Sequence, residues 1–315
     1  MERELTFTIC TPLYRRAASL PRLLQSLEAQ SFRDFEWLIV EDGSDEETDR
    51  RVRALLFEHR PSFEVRVLRK KKHRGLHTAV NRAVDESRGS FFVVLRSDEE
   101  LLPGSLSLLQ RRWHSIPMSE RPYFSSVAGL SQEPDGTIRG EKFPSSPFDS
   151  TYFESEGRYG IGGRSWGFQR TAVMKKQPYP EFAGERYCPE GLVLNRIGMR
   201  YLTRYVNEPL VTVHENELSK AADRAFPPLE MSLRGPAASA LFFMEQLGLP
   251  IPLARKIRAA LAYVRHALHT GKVPDEIYRN APKKLLVFFA LSPGYFLYRR
   301  DLAKRKKTAA EGEPL

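Results

Sequence analysis

Phe91-Phe92-Val93-Val94-Leu95-Arg96-Ser97-Asp98-Glu99-Glu100-Leu101-Leu102-Pro103 is the stretch that decides the fold. Five apolar residues in a row are too few for a helix and read as a strand buried on both faces, as in a parallel sheet. The run ends in three consecutive carboxylates, and Pro103 then opens a predicted helix with Leu106, Leu109 and Trp113 on one face. In open parallel sheets, ligands bind just beyond the carboxyl ends of the strands. Carboxylates there are hard oxygen ligands that suit Mg2+ or Mn2+ beside a phosphate. They equally favour the N-terminus of the next helix through its dipole.

Upstream, the same alternation repeats. Leu5 to Thr11 reads as a first strand, and Ser19 can cap a helix carrying Leu20, Leu23, Leu24 and Leu27 at helical spacing. Trp37-Leu38-Ile39-Val40 is a second buried strand, and it too ends in acid and turn residues, Glu41-Asp42-Gly43-Ser44-Asp45. A helix with Val52, Leu55 and Leu56 inward follows, then an alternating strand at Phe63, Val65 and Val67. The basic run Arg69 to Arg74 leads through Gly75 into a helix with Leu76, Ala79, Val80, Ala83 and Val84, which Gly89 is placed to end. Strands alternating with helices predict an α/β fold with a doubly wound, mostly parallel sheet.

At the carboxyl edge of that sheet, two acidic turns would flank a basic loop. Asp42 can accept a base N–H or cap the following helix. Arg74 and its lysine neighbours can meet a diphosphate or a base, or form a solvated face. The formal net charge of +10 suits an anionic partner. The two cysteines, Cys10 and Cys188, form no CxxC pair, so neither zinc nor a disulfide framework is indicated, and a reducing compartment is expected. The N-terminus shows no signal-peptide apolar region, and no apolar run is long enough to span a bilayer. The basic residues are split between a loop and the C-terminal segment, with no nucleic-acid motif, so no nucleic-acid partner is expected.

The order Thr11-Pro12-Leu13-Tyr14-Arg15-Arg16, Glu41-Asp42-Gly43-Ser44, Gly75-Leu76-His77-Thr78-Ala79-Val80-Asn81 and Ser97-Asp98-Glu99 resembles family 2 glycosyltransferases of the GT-A fold over about the first two-thirds of the chain. The resemblance implies that Pro12 and Tyr14 line the nucleotide pocket, with Asn81 also on the substrate side. It makes Asp42 the reader of the base and Asp98 the metal-binding end of the DxD motif. The chain departs from that pattern in several places. Arg96 stands at the first acid of DxD, Glu99 follows Asp98 where Asp is usual, and Arg15 and His73 replace common asparagines. Arg96 can do part of a cation's work by pairing with a phosphate.

Downstream, Tyr123 to Leu130 reads as a strand, Asp135-Gly136 as a tight turn, and Lys142 to Gly163 as an aperiodic insert that resembles the acceptor side of such enzymes. Trp166 to Phe168 reads as a strand leading to a helix with Val173 and Met174. Glu190, after Pro189, opens a helix where the family's Glu-Asp motif supplies the catalytic base. Gly191 replaces the second acid, and Glu185 is the fallback. A carboxylate there also suits a helix N-terminus. Arg204 to His214 reads as an extended segment, and His214 resembles the late histidine that contacts metal or diphosphate.

The character changes near residue 220, which divides a GT-A-like domain (1–220) from a helical, basic appendage (221–315). Helices are predicted over 236–247, 252–270 and 274–297, the last interrupted at Ser292-Pro293-Gly294. Leu285 to Leu291 is too short to span a bilayer. Flanked by Lys283-Lys284 and by Arg299 to Lys307, it suits an interfacial anchor on an anionic membrane surface, or an ordinary packed helix with a basic tail.

The expected protein is an inverting glycosyltransferase that uses a nucleotide-sugar donor, a divalent metal, Mg2+ or Mn2+, and a glycan or lipid-linked acceptor. It would serve glycan or cell-surface polysaccharide synthesis from the cytoplasm, peripherally on the membrane. A non-catalytic, membrane-associated nucleotide-sugar binder with a degenerate DxD motif is the alternative.

Overall fold

The computed structural model describes residues 5–159, 165–214 and 229–310. The chain divides into two compact units, Met1–Tyr179 with Val193–Pro227, and Pro180–Leu192 with Pro228–Leu315. The expected boundary at residue 220 lies outside the described residues.

In the first unit the apolar runs become strands. β1 (Leu5–Leu13), β2 (Phe35–Asp42), β3 (Glu64–Lys70) and β4 (Gly89–Val94) pair in parallel in the order β3-β2-β1-β4. Helices α1 (Leu20–Glu28), α2 (Glu46–His59) and α3 (Leu76–Glu86) form the intervening segments. Every residue of β2 is buried, as a strand covered on both faces requires. This is the α/β fold expected. Beyond β4 the sheet is mixed. β8 (Ser165–Arg170) runs antiparallel to β4, followed by β6 (Phe124–Gln132), β9 (Leu202–Val213) and β5 (Glu99–Leu101), with β7 (Phe148–Ser150) against β9. The helix α4 (Ser105–His114) buries Leu106, Leu109 and Trp113. Trp113 meets Phe91 at 5.2 Å, and Phe91 meets Phe168 at 4.2 Å in the core.

Two local expectations change. The acidic run does not pass straight into a helix: Glu99–Leu101 forms β5, paired antiparallel with Thr212 and its neighbours on β9. The helix begins at Ser105, because Gly104 takes a left-handed φ of +79° that a helix cannot contain. Gly89 belongs to β4 and does not end α3. A Cβ there would lie 2.3 Å from the Thr8 nitrogen, so its hydrogen side chain allows β1 and β4 to approach.

The short helices α5 (Tyr152–Tyr159) and α6 (Thr171–Met174) flank β8, and α7 (Glu190–Gly198) precedes β9. The second unit is helical: α8 (Leu229–Ser232), α9 (Pro236–Gln246), α10 (Leu253–His269), α11 (Pro274–Asn280) and α12 (Lys284–Ala310). α12 runs through Pro293 without the predicted interruption. Gly294 is there for close approach: a Cβ would lie 2.6 Å from Val264 Cγ1 on α10. Packing at this contact outweighs the hydrogen bond that proline removes. Beneath it, Asp301 is buried and accepts from Arg265 Nε at 2.6 Å and pairs with His269 at 3.0 Å. No helix among the described residues is long and apolar enough to cross a membrane.

Candidate active site

The carboxyl ends of the parallel strands gather most of the expected residues, and Asp42 is their hub. It is the last residue of β2 and is buried. Its Oδ1 accepts from Lys70 Nζ at 2.5 Å, and its Oδ2 from the Gly75 N–H at 2.8 Å. His73 Nδ1 lies 2.7 Å from Oδ2, and the Arg74 N–H reaches both oxygens at 3.2 Å. Asp42 therefore folds the basic loop onto the end of its own strand. Lys70 also meets Thr78 Oγ1. Gly43 makes the turn possible: its φ is +68°, and a Cβ would lie 2.2 Å from the His73 nitrogen.

An aromatic platform stands beside this hub. The Tyr14 ring stacks on His73 with centroids 3.7 Å apart and planes 12° from parallel. Arg15 also approaches the Tyr14 ring, its Cζ 5.3 Å from the centroid, and its backbone takes a left-handed φ of +53°. Asp45 caps α2 through the Thr48 N–H at 3.0 Å and pairs with Arg15 at 3.4 Å. The Thr48 bonds hold its carboxyl below the usual carboxylate range. Beside Asp42, burial pushes the Glu41 carboxyl up, opposed by Arg69. Pro12 is half-buried at the end of β1, beyond the last β1–β4 pair at Cys10 and Val94.

Asp98 lies at the end of the β4 segment, buried, with two guanidinium groups beside it. Arg16 Nη1 is 3.8 Å from Oδ2, and Arg96 Nε is 3.7 Å from Oδ1. Arg96 is itself oriented by Glu99, which accepts its backbone N–H at 2.8 Å and its Nη2 at 2.8 Å. The β5–β9 ladder brings His214 to this point, where its backbone N–H donates to the Asp98 carbonyl at 2.9 Å. The His214 ring bonds to Glu100 at 2.9 Å.

Among the described residues, no group of three or more His, Cys, Asp or Glu side chains is arranged to hold a metal ion. Mg2+ and Mn2+ take one or two carboxylates when substrate phosphates complete their shell. A divalent ion here would take Asp98 as its one carboxylate ligand beside a diphosphate, with the Arg16 and Arg96 guanidinium groups already close to that carboxylate.

Other expected residues stand elsewhere. Asn81 exchanges two hydrogen bonds with the Tyr179 backbone, at 2.9 Å each, and so anchors that segment. Glu190 starts α7. Near it, burial raises the Tyr187 phenol well above its ordinary value, and the Glu190 charge adds to that. Glu185 serves the fold: its carboxylate accepts from the Ala237 and Ala238 N–H groups, at 2.6 and 3.0 Å, and caps α9.

Three residues of the site were not singled out from sequence as parts of it. Lys70 stood in a lysine run that read either as meeting a diphosphate or base or as a solvated face, and it is the β3 register partner of Asp42. The parallel β2–β3 alignment was the signal that pairs them. Arg16 lies in a motif stretch, but its approach to Asp98 comes from the β1 turn and has no sequence mark. His73 read as a departure from a common asparagine, and its stacking on Tyr14 is equally invisible in sequence.

Comparison with known proteins agrees with the fold. Residues 8–126 match the family described as Glycosyl transferase family 2. A Campylobacter jejuni protein, GalNAc(5)-diNAcBac-PP-undecaprenol beta-1,3-glucosyltransferase, is 22% identical over 156 residues, covering 46% of this chain and 50% of its own. The matched segments span about a third to a half of the curated relatives. Among solved structures, Staphylococcus aureus TarS 1-349 in complex with UDP-GlcNAc superposes with a TM-score of 0.58 at 16% identity, over 98% of this chain and 93% of TarS. The Pyrobaculum calidifontis mannosyltransferase PcManGT, in complex with GDP-Man and Mn2+, gives 0.53 at 15% identity over 98% and 85%. At such identities the likeness is one of fold, the GT-A fold.

Proposed function

The chain belongs to glycosyltransferase family 2 through residues 8–126, and from that premise we propose that it moves a sugar from a nucleotide-sugar donor to an acceptor hydroxyl, with inversion at the anomeric carbon. The observation that carries this is the convergence of Asp42, the Tyr14–His73 stack and the Arg16–Asp98–Arg96 cluster at the carboxyl ends of adjacent parallel strands. The stack offers an apolar face to a base, beside the turn that Pro12 enters. A base N–H would share Asp42 Oδ1 with Lys70, while Arg74 borders the same loop. Arg16 and Arg96 would hold the diphosphate, a planar guanidinium matching its paired oxygens. Asn81 contributes by fixing the Tyr179 segment.

Asp98, with His214 beside it, would hold Mg2+ or Mn2+ against the diphosphate, where the ion supplies positive charge to the leaving group. Glu190 accepts the acceptor hydroxyl's proton as that oxygen attacks, a role that rests on its place at the start of α7 and on the family pattern. Excluding water from the bound donor limits hydrolysis. A glycan or lipid-linked acceptor, in polysaccharide synthesis, suits the activity for which the Campylobacter relative is named. Cys10 and Cys188 are buried thiols outside any disulfide, which suits the cytoplasmic side.

A second reading is favoured by one observation: Arg96, fixed by Glu99, stands where a second metal-binding acid would be. On that reading the chain binds nucleotide sugars without turnover. A panel of UDP- and GDP-sugars, tested for binding by calorimetry and for release of the nucleotide with and without Mn2+, separates the two. Nucleotide release that depends on acceptor supports transfer. Binding without release supports the second reading, and no binding at all overturns both.

A further inference from the structure

We infer that the outward face of α12 docks the protein on an anionic lipid surface, lying along it without crossing it. The face is apolar and open to solvent in the second unit. Leu285, Phe288, Phe289, Tyr295 and Phe296 are 70, 59, 70, 45 and 67% exposed. At 3.6 residues per turn, all five fall within an arc of about 120°. Val287, Ala290, Gly294 and Asp301 lie on the opposite side of the helix and are buried. The exposed face is thus an apolar stripe, interrupted by exposed Ser292, along one side of a single well-packed helix.

Charge selects the partner. Lys283 and Lys284 stand exposed at one end of the stripe, with Arg299, Arg300 and Lys304 exposed at the other. The one acid between Lys283 and Lys304 is Asp301, which is turned inward and paired with Arg265 and His269. An outer face of aromatic and aliphatic side chains, bordered by cations and free of carboxylates, matches a bilayer surface with anionic headgroups. Tyr278 extends the aromatic surface against Phe288, and Arg299 lies over the Tyr295 ring, so the rings sit where the cations begin. From Leu285 to Phe296 the stripe is about 16 Å long at 1.5 Å per residue, half the hydrocarbon thickness of about 30 Å. That length allows insertion of side chains in the plane of the surface and excludes a span. Arg305, Lys306 and Lys307 continue the basic run in sequence; their side chains lie outside the described residues.

The test uses the full chain and vesicles of phosphatidylcholine with or without phosphatidylglycerol. Co-sedimentation is expected with the anionic vesicles at low salt, with release as salt rises and no need for detergent. Phe288→Ser with Phe289→Ser and Phe296→Ser should weaken it by about tenfold or more, as should Lys283→Gln with Lys284→Gln, Arg299→Gln and Arg300→Gln. Nucleotide-sugar binding should stay at the parent value in both variants, and thermal unfolding in the serine variant, whose replaced side chains are exposed. Lipid binding and donor binding are separate readouts, so either can fail alone. The inference is overturned if the parent ignores anionic vesicles at low salt. It is equally overturned if the serine variant sediments like the parent, or if the stripe proves to be a contact between copies, with a parent dimer that the serine variant dissolves and no lipid binding by either.

Discussion

Replacing Asp42 by alanine should unfasten the loop from Lys70 to Gly75 before any ligand is considered. The carboxylate is 2% exposed and collects the Lys70 ammonium, His73 and the Arg74 and Gly75 N–H groups. Removing one partner of a buried ion pair costs about 3–5 kcal/mol. Lys70 keeps Thr78 Oγ1 and is 17% exposed, which places the loss near the lower end, about 3 kcal/mol. Asp42→Asn keeps the shape and one acceptor, and should lose about 1.5 kcal/mol, the lower value for a charged hydrogen bond. The readout is amide hydrogen exchange without nucleotide. At about 1.4 kcal/mol per decade, the Arg74 and Gly75 amides should exchange about a hundredfold faster in Asp42→Ala. Donor affinity should fall as well, because the loop no longer presents its cations. If both amides keep parent protection while affinity collapses, Asp42 acts on the base alone and the hub argument is wrong.

Asp98→Asn should lower turnover by about 10²-fold or more, as loss of a group that stabilises the leaving diphosphate does. Glu100→Gln, which removes a charge that bonds the His214 ring, should cost about tenfold at most; equal effects would remove Asp98 from its special place. Glu190→Gln should abolish transfer and spare donor affinity, whereas Glu185→Ala should cost about 1 kcal/mol of stability through the lost α9 cap and leave transfer intact. The reverse pattern would move the base to Glu185. Burial, reinforced by Arg265 and His269 and opposed by Asp301, depresses His266 from 6.5 to about 3. Its depressed value means the unfolded chain binds a proton that the folded chain refuses, so its contribution is full above pH 6.5 and is lost toward pH 3. Stability of the parent should therefore fall by about 1.4 kcal/mol per pH unit over that window. Urea melts of His266→Phe should lose this slope; an unchanged slope would show that His266 is not buried as the neutral form.

The strands and helices of the first unit were legible because each carries its periodicity locally. β2 is apolar without a break from Trp37 to Val40, and α1 and α4 repeat leucines at helical spacing. What stayed hidden depended on pairing between distant segments. β5 is a three-residue strand of two acids and a leucine, and only β9 beside it makes it a strand. Pro293-Gly294 read as a breaker by composition, while the contact with Val264 that keeps the helix continuous lies in another helix. In the site, Asp42 and Asp98 stood out because acids at strand ends are chemically conspicuous. Lys70, Arg16 and His73 did not, because register and turn geometry bring them in. The sequence favours Glu190 over Glu185 for its place at a helix start, and the hydrogen bonds to Ala237 and Ala238 mark Glu185 as a cap.

The interlock at Gly43 has a thermodynamic consequence. Because the turn after β2 nests against the His73 backbone and Asp42 gathers the loop's N–H groups, the loop's conformational entropy is already lost in the unliganded chain. A nucleotide arriving there meets a surface that need not order itself, so the affinity carries no penalty for folding a segment. The heat-capacity change of association should then track the apolar area of the nucleotide itself, without the added signature of about 1,000–3,000 Å² that accompanies coupled folding.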